Sequence, residues 1–116
     1  MNIEEFRDYC LAKPSVSEST PFGPDTLVFK VMNKMFALCD IDAFESVNLK
    51  CDPERSIELR AQYDGIKPGY HMNKKHWNTV NCDGSVNDDL LLELIDHSYN
   101  LVVSSLPKKV REGLKE

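Results

Sequence analysis

A chain of 116 residues has the length of one domain, residues 1–116, and can bury a hydrophobic core without a metal or disulfides. It is 41% hydrophobic and 28% charged, and no apolar run reaches the roughly eighteen residues of a membrane-spanning helix, so no membrane partner is expected. The formal net charge of −5 argues against tight non-specific binding of nucleic acid by the surface as a whole.

The first half of the chain predicts one helix followed by three strands. Asn2 is a suitable N-cap for a helix that Pro14 ends, and this start lacks the basic and apolar regions of a signal peptide, so a cytoplasmic location is expected. Residues 15–25 are rich in turn formers and predict an irregular connection. Strands are predicted at residues 26–31, 35–39 and 46–50, with a tight hairpin turn at residues 32–34.

The second half predicts a helix that Asp52 caps, that runs to about Gln62 and that Gly65 closes. Extended segments are predicted next, at residues 66–68 and 77–82, ending at a turn at 83–85. Asn87 caps the longest helix, about 88–104, and a short helix follows Ser105 with Val110 and Leu114 inward. The inward face of the long helix is predicted to comprise Leu91, Ile95, Tyr99, Val102 and Val103.

This order of elements predicts an α+β domain, an antiparallel sheet with the helices packed on one side. Four Cys are present without a C-x-x-C pair, and they are expected to be reduced, buried side chains: Cys10, Cys39, Cys51 and Cys82. The alternative is a zinc site that combines Cys82 with His71 and His76, although this spacing matches no known zinc motif.

The most informative segment is a basic and aromatic island around residues 67–80. Residues 66–82 contain three Lys and no acidic residue or Arg, so they carry +3 while the remaining residues carry −8. The island also holds two His and Trp77, which is the only Trp of the chain. A local positive region on an acidic protein is a candidate site for an anionic partner.

The island, Pro68-Gly69-Tyr70-His71-Met72-Asn73-Lys74-Lys75-His76-Trp77-Asn78-Thr79-Val80, resembles the signature P-x-x-H-x-N-K-x-H-W-x-T-V of the MmcQ/YjbR family of small bacterial proteins. The resemblance extends to Tyr9–Pro14, to the turn at 83–85 and to the helix containing Tyr99, and so covers nearly the whole chain. It implies a fold similar to the frataxin/CyaY type, which agrees with the α+β prediction. It also implies a double-wing, DNA-binding-like motif, whose nearest equivalents here are the Val31–Lys34 turn and the Ile66–Lys75 loop.

The predicted function is therefore non-enzymatic binding, with DNA as the candidate partner and a monomer or weak homodimer as the binding form. Lysines suit phosphate oxygens, whereas aromatic, His and Asn side chains can stack on bases or pair with them. The candidate nucleic-acid-binding residues are Lys30, Lys34, Lys67, Tyr70, His71, Asn73, Lys74, Lys75 and His76. We expect His71 to shape the loop, His76 to point towards solvent or ligand, and Trp77 to be buried against the long helix near Tyr99 or Val103.

Other interpretations remain open. The loop can be purely architectural, or it can border a cleft that binds a protein or small ligand. Glu4, Glu5 and Asp8 resemble the start of a frataxin acidic ridge that binds iron, but acids at a helix N-terminus are commonly only solvated. No nucleophile elbow, phosphate-binding loop or H-E-x-x-H motif is present, so we expect no enzyme activity, cofactor or catalytic residue, and no metal site.

Overall fold

The computed structural model describes residues 1–70 and 72–114, which form an α+β domain. The helices are α1 Ile3–Leu11, α2 Pro53–Gln62, α3 Asp88–Ser104 and α4 Lys108–Gly113. The strands are β1 Val16–Ser19, β2 Thr26–Val31, β3 Lys34–Asp40, β4 Ser46–Lys50, β5 Ile66–Pro68 and β6 Trp77–Asn81. No helix within these described residues is long and apolar enough to cross a membrane.

All six strands form one antiparallel sheet in the order β1-β2-β3-β4-β6-β5. The predicted hairpin is confirmed: Met32 and Asn33 join β2 to β3, and both have positive φ, as a two-residue turn with the twist of the strands requires. The predicted caps are also confirmed, because the side chains of Asn2, Asp52 and Asn87 accept backbone hydrogen bonds at the starts of α1, α2 and α3.

The prediction of an irregular connection at residues 15–25 was wrong at its start, where β1 forms an edge strand. Val16 lies opposite Val31, and Ser19 lies opposite Val28. Residues Val-Ser-Glu-Ser contain a single strongly β-favouring side chain, so pairing with β2 rather than local propensity makes this segment a strand. The Arg7 guanidinium on α1 holds it from the helix side by two hydrogen bonds to Glu18, at 2.7 and 2.5 Å.

The closure of α2 by Gly65 was also a wrong prediction. The helix ends at Gln62, and its C-cap residue Tyr63 is already extended, with φ −122° and ψ 118°. Gly65 is required for another reason, because a Cβ atom there would lie 2.3 Å from the Ser85 Oγ. The glycine therefore allows the start of β5 to approach the turn at residues 83–85, where the Ser85 amide donates to the Asp83 Oδ1 at 3.0 Å.

The main core lies between the sheet and the helices. Its fully buried members come from α1, the sheet and α3, and they include Phe6, Phe29, Val80 and Ile95. The predicted inward face of α3 is confirmed at Leu91, Ile95, Tyr99 and Val102, whereas Val103 is only half-buried. The helices thus cover one face of the sheet, as predicted, and none of the four described helices packs on the opposite face.

This second face, which we call the open face, carries a small apolar cluster of its own. Val28, Leu38 and Trp77 are buried there, with Met35 and Met72 packed against them. The burial of Trp77 is confirmed, since its residue is 8% exposed, but its predicted contact with the long helix near Tyr99 or Val103 was wrong. Trp77 is opposite Lys50 in the register, on the face away from α3.

Candidate nucleic-acid interface

The two predicted wing segments project from the same end of the sheet. The β2–β3 turn lies where β2 ends, and residues 69–76 connect β5 to the start of β6. One strand, β4, separates β3 from β6, and its last residue Lys50 lies at this end opposite Trp77. The centre of the β2–β3 turn and the centre of the β5–β6 loop are three strand spacings apart in this order. With a spacing of about 4.8 Å, the two loop centres are roughly 14 Å apart.

The predicted lysines divide between the open face and the loop tips. Lys67 lies opposite Thr79, and Lys30 lies opposite Ser17 and Met35, so both are in open-face register positions. Lys34 is exposed at the turn but lies opposite Val31, a member of the main core, so its register position is on the helix side. Lys74 and Lys75 are exposed in the loop at residues 69–76.

One further open-face cation, Lys50, was not among the predicted binding residues. The alternation in β4 contains the signal, because Val47 and Leu49 belong to the main core and Lys50 must therefore share the face of Asn48. Strand positions of the open face thus carry three cations, Lys30, Lys50 and Lys67. Among the strand residues that point to the open face, one is acidic: Asp40, whose carboxylate accepts from the amides of residues 42 and 43.

The loop at residues 69–76 is shaped by its own polar groups. The Asn73 Oδ1 accepts from the Lys75 amide at 3.0 Å, and the Asn73 carbonyl accepts from the Trp77 amide at 3.0 Å. The Lys74 Nζ donates to the Gly69 carbonyl at 3.1 Å. A Cβ atom at Gly69 would lie 2.8 Å from the Trp77 Cβ, so this position favours glycine. Asn73 and Lys74 therefore have a structural role in addition to any role in binding.

Arg60 on α2 holds this loop against the domain, although it was not among the predicted site residues. Its Nε donates to the Asn78 Oδ1 at 2.7 Å, and its Nη2 donates to the carbonyl oxygens of Lys74 at 2.5 Å and Trp77 at 3.1 Å. Asn78 is 2% exposed, and its Nδ2 donates to the Ser56 Oγ at 3.3 Å. The planar fork of a guanidinium suits three acceptors arranged in this way.

Of the three remaining predicted residues, which all carry a ring, Tyr70 and His76 differ in exposure. Tyr70 is 70% exposed, and its amide donates to the Thr79 Oγ1 at 3.0 Å, which in turn donates to the Asn48 Oδ1 at 2.6 Å. His76 is half-buried, and its carbonyl accepts from the Cys51 amide at 2.8 Å. His71 lies outside the described residues, so its predicted loop-shaping role and its place in the zinc alternative stay predictions.

Two cavities of the described part of the chain lie away from the loop, and neither is lined by Tyr70 or His76. One cavity of about 480 Å³ lies beside α3 and α4, and another of about 420 Å³ lies near Phe44 and Asn81. Within residues 1–70 and 72–114, no group of three His, Cys, Asp or Glu side chains is arranged to hold a metal ion. Glu5 of the acidic helix start is part of the capping box of α1, and its Oε1 accepts from the Asn2 amide at 3.1 Å.

All four cysteines are free thiols, and three of them are buried as predicted, with Cys82 half-buried. Burial raises the pKa of Cys82 to about 11 and also raises the pKa of Cys51. A thiol with a raised pKa is almost fully protonated near neutral pH and is therefore a poor nucleophile or metal ligand.

His97 on α3 contacts the N-cap of α2 and makes the stability of the fold depend on pH. Its Nε2 accepts from the Asp52 amide at 3.2 Å, and its pKa is lowered chiefly by burial and then by the nearby Arg55 guanidinium. Because the folded-state pKa lies below the ordinary value of about 6.5, the folded protein binds fewer protons here than the unfolded chain. This contribution to stability is present above the unfolded pKa and is lost as pH falls through the folded pKa.

The unfolding free energy should fall between about pH 7.5 and about pH 5, and we expect it to fall less in His97→Gln than in the unsubstituted protein. Urea unfolding of both proteins at the two pH values measures this, and the titrations of all other groups cancel in the difference. An equal loss of unfolding free energy in the two proteins would show that His97 is not linked to folding.

Comparison with known proteins identifies the family. The family model YjbR matches residues 11–101. The uncharacterised protein YbdF of Escherichia coli O157:H7 is 42% identical over 97% of this chain and 93% of its own length. YjbR of Escherichia coli K12 is 36% identical over 98% of both chains.

Solved structures have the same fold. The crystal structure of the Deinococcus radiodurans protein DR2400, with a DUF419 domain, has a TM-score of 0.91 at 44% identity over 97% of this chain and 87% of that chain. A Pseudomonas syringae protein has a TM-score of 0.73 at 33% identity over 87% of this chain and 98% of that chain. These matches confirm the resemblance expected from the signature around Trp77, and the chain belongs to the YjbR family.

Proposed function

We propose that the protein binds the phosphate backbone of DNA with its open face and the two loops at one end of the sheet. The observation that carries this proposal is the charge of the open face. Lys30, Lys50 and Lys67 stand there against the single acid Asp40, although the whole chain has a net charge of −5. An acidic protein that concentrates cations on one uncovered surface is suited to an anionic polymer.

The spacing of the loops supports the same partner. A separation of roughly 14 Å is close to the width of about 12 Å of the DNA major groove, so the two loops can meet the two backbones that border it. Lys34 is exposed on one loop and Lys75 on the other. Each loop also exposes one large side chain, Met32 at 46% and Tyr70 at 70%, which can pack on sugars or bases.

The proposal includes a modest affinity, since about five lysines can meet one duplex. Each phosphate contact contributes about −0.9 to the slope of log affinity against log salt concentration. We expect Lys67→Glu with Lys75→Glu to abolish measurable binding of a labelled duplex at low salt while the unfolding free energy changes by less than about 0.5 kcal/mol. Fluorescence anisotropy over a series of salt concentrations measures both the affinity and the slope.

The matched control is Lys109→Glu, which reverses an exposed charge on α4, away from the open face and the loops. It should leave binding nearly unchanged. Lys74 is not substituted in this test because its Nζ donates to the Gly69 carbonyl. Its replacement would change the loop conformation as well as the charge, and the two effects on binding could not be separated. Binding that does not respond to salt, or that Lys109→Glu weakens as much as the double variant, would contradict a phosphate interface.

The remaining parts of the proposal concern the setting of this interface. We propose a non-enzymatic protein that acts in the cytoplasm as a monomer or weak homodimer, with a fold related to the frataxin/CyaY type. Three buried free thiols and one half-buried thiol suit a reducing compartment. The alternative is a module that binds a protein or small ligand in the cleft beside the signature loop, and salt-insensitive binding of such a partner rather than DNA would favour it.

A further inference from the structure

A separate feature lies on the helix side, in the cavity of about 480 Å³ between Pro14, the end of α3 and α4. Its wall is mostly apolar and includes the half-buried Val103 and the buried Tyr99 and Leu114. The Tyr99 hydroxyl donates to the Pro14 carbonyl at 2.8 Å. Because its polar atom already has a partner, Tyr99 contributes mainly the apolar surface of its ring to the cavity. The volume is within the range of about 300–1,000 Å³ that is usual for small-molecule sites.

Two cations line the same cavity, Lys108 and Arg111, together with one acid, Glu112. Neither Lys108 nor Arg111 takes part in the four ion pairs found among residues 1–70 and 72–114. In the same part of the chain, the Arg111 Nε is buried and has no hydrogen-bond partner. Buried polar groups nearly always have a partner, so the Arg111 guanidinium has hydrogen-bonding capacity that the described residues leave unused.

We propose that this cavity binds a small organic anion, a carboxylate with an apolar body of medium-chain fatty acid size. The apolar body lies against Tyr99, Val103 and Leu114, and the carboxylate pairs with the Arg111 guanidinium at the cavity wall while Lys108 contributes charge at the rim. A carboxylate is a charged acceptor for a guanidinium, and the low polarity of the wall strengthens the interaction between them. This site uses none of the residues of the proposed DNA interface, so the two proposals stand independently.

The probe is octanoate, compared with 1-octanol and octyltrimethylammonium, which share its apolar body but differ in charge. Titration of the full chain, followed by amide NMR shifts, should show saturable octanoate binding at one site, with the largest changes at the end of α3 and in α4. Octanol should bind about tenfold more weakly and the cation should not bind here, because only the carboxylate accepts a charge-assisted hydrogen bond.

Arg111→Gln should weaken octanoate about tenfold and leave octanol unchanged. Lys109→Gln is the matched control, since Lys109 is exposed on the same helix and does not line the cavity, and it should change nothing. If Arg111→Gln does not fold, Lys108→Gln at the exposed rim makes the same comparison, with a smaller expected loss. Equal affinity for octanoate and octanol, shifts centred on the open face, or the absence of saturable binding would each overturn the proposal.

Discussion

Replacement of Trp77 by Ala is expected to lower the unfolding free energy by about 3–5 kcal/mol. The residue is 8% exposed and fills the open-face cluster with Val28 and Leu38, where none of the described helices packs. Its loss leaves a cavity between the sheet and Met72, and Met72 belongs to the loop at residues 69–76. Urea unfolding measured by circular dichroism gives the free energy without relying on the missing indole.

The control for this prediction is Phe22→Ala, which truncates an aromatic side chain that is 65% exposed and should cost less than about 0.5 kcal/mol. A double-mutant cycle tests which face Trp77 occupies. Trp77→Ala and Leu38→Ala share a cluster, so their effects should not add, whereas Trp77→Ala and Val102→Ala lie on opposite faces and should add. The reverse pattern would place the indole against α3 and contradict the structure.

The elements that could be predicted from sequence are those with strong local signals. Asn2, Asp52 and Asn87 accept hydrogen bonds as N-caps, and the chain turns back at Met32 and Asn33. Helix caps and tight turns depend mainly on residues adjacent in sequence, so they can be predicted without knowledge of tertiary contacts. β1 was missed because its formation depends on a partner strand, and a four-residue edge strand has little propensity of its own.

The placement of Trp77 shows a different limit. Its large apolar side chain indicates burial correctly, but burial alone does not state which face of the sheet it occupies. Val80 belongs to the main core, and a residue three positions earlier in a strand points to the opposite face. Asn78 shows why that alternation is easily misjudged: it lies on the helix side although it is polar, because Ser56 and Arg60 satisfy its amide.

The candidate interface could be predicted only in part for a similar reason. The basic island at residues 67–80 singled out the loop, whereas the open-face cation Lys50 lies on the strand β4, outside that island. Arg60 lies 14 to 18 residues from the atoms that it holds, and one Arg on a helix carries no local sign of such contacts. Tertiary structure alone reveals that the loop is fastened from α2.

Arg60→Ala is therefore expected to lower the unfolding free energy by about 2–3 kcal/mol, because the buried Asn78 Oδ1 and the Trp77 carbonyl lose a charged donor. Arg60→Lys should restore little, since an ammonium lacks the planar fork. Urea unfolding measures the stability of both variants, and amide hydrogen exchange at residues 72–78 reports whether the loop loosens.

Arg55→Ala is the control on the same helix. It removes a partly exposed ion pair with Glu93 and should cost less than about 1 kcal/mol. If the two alanine variants lose equal stability, Arg60 does not fasten the loop.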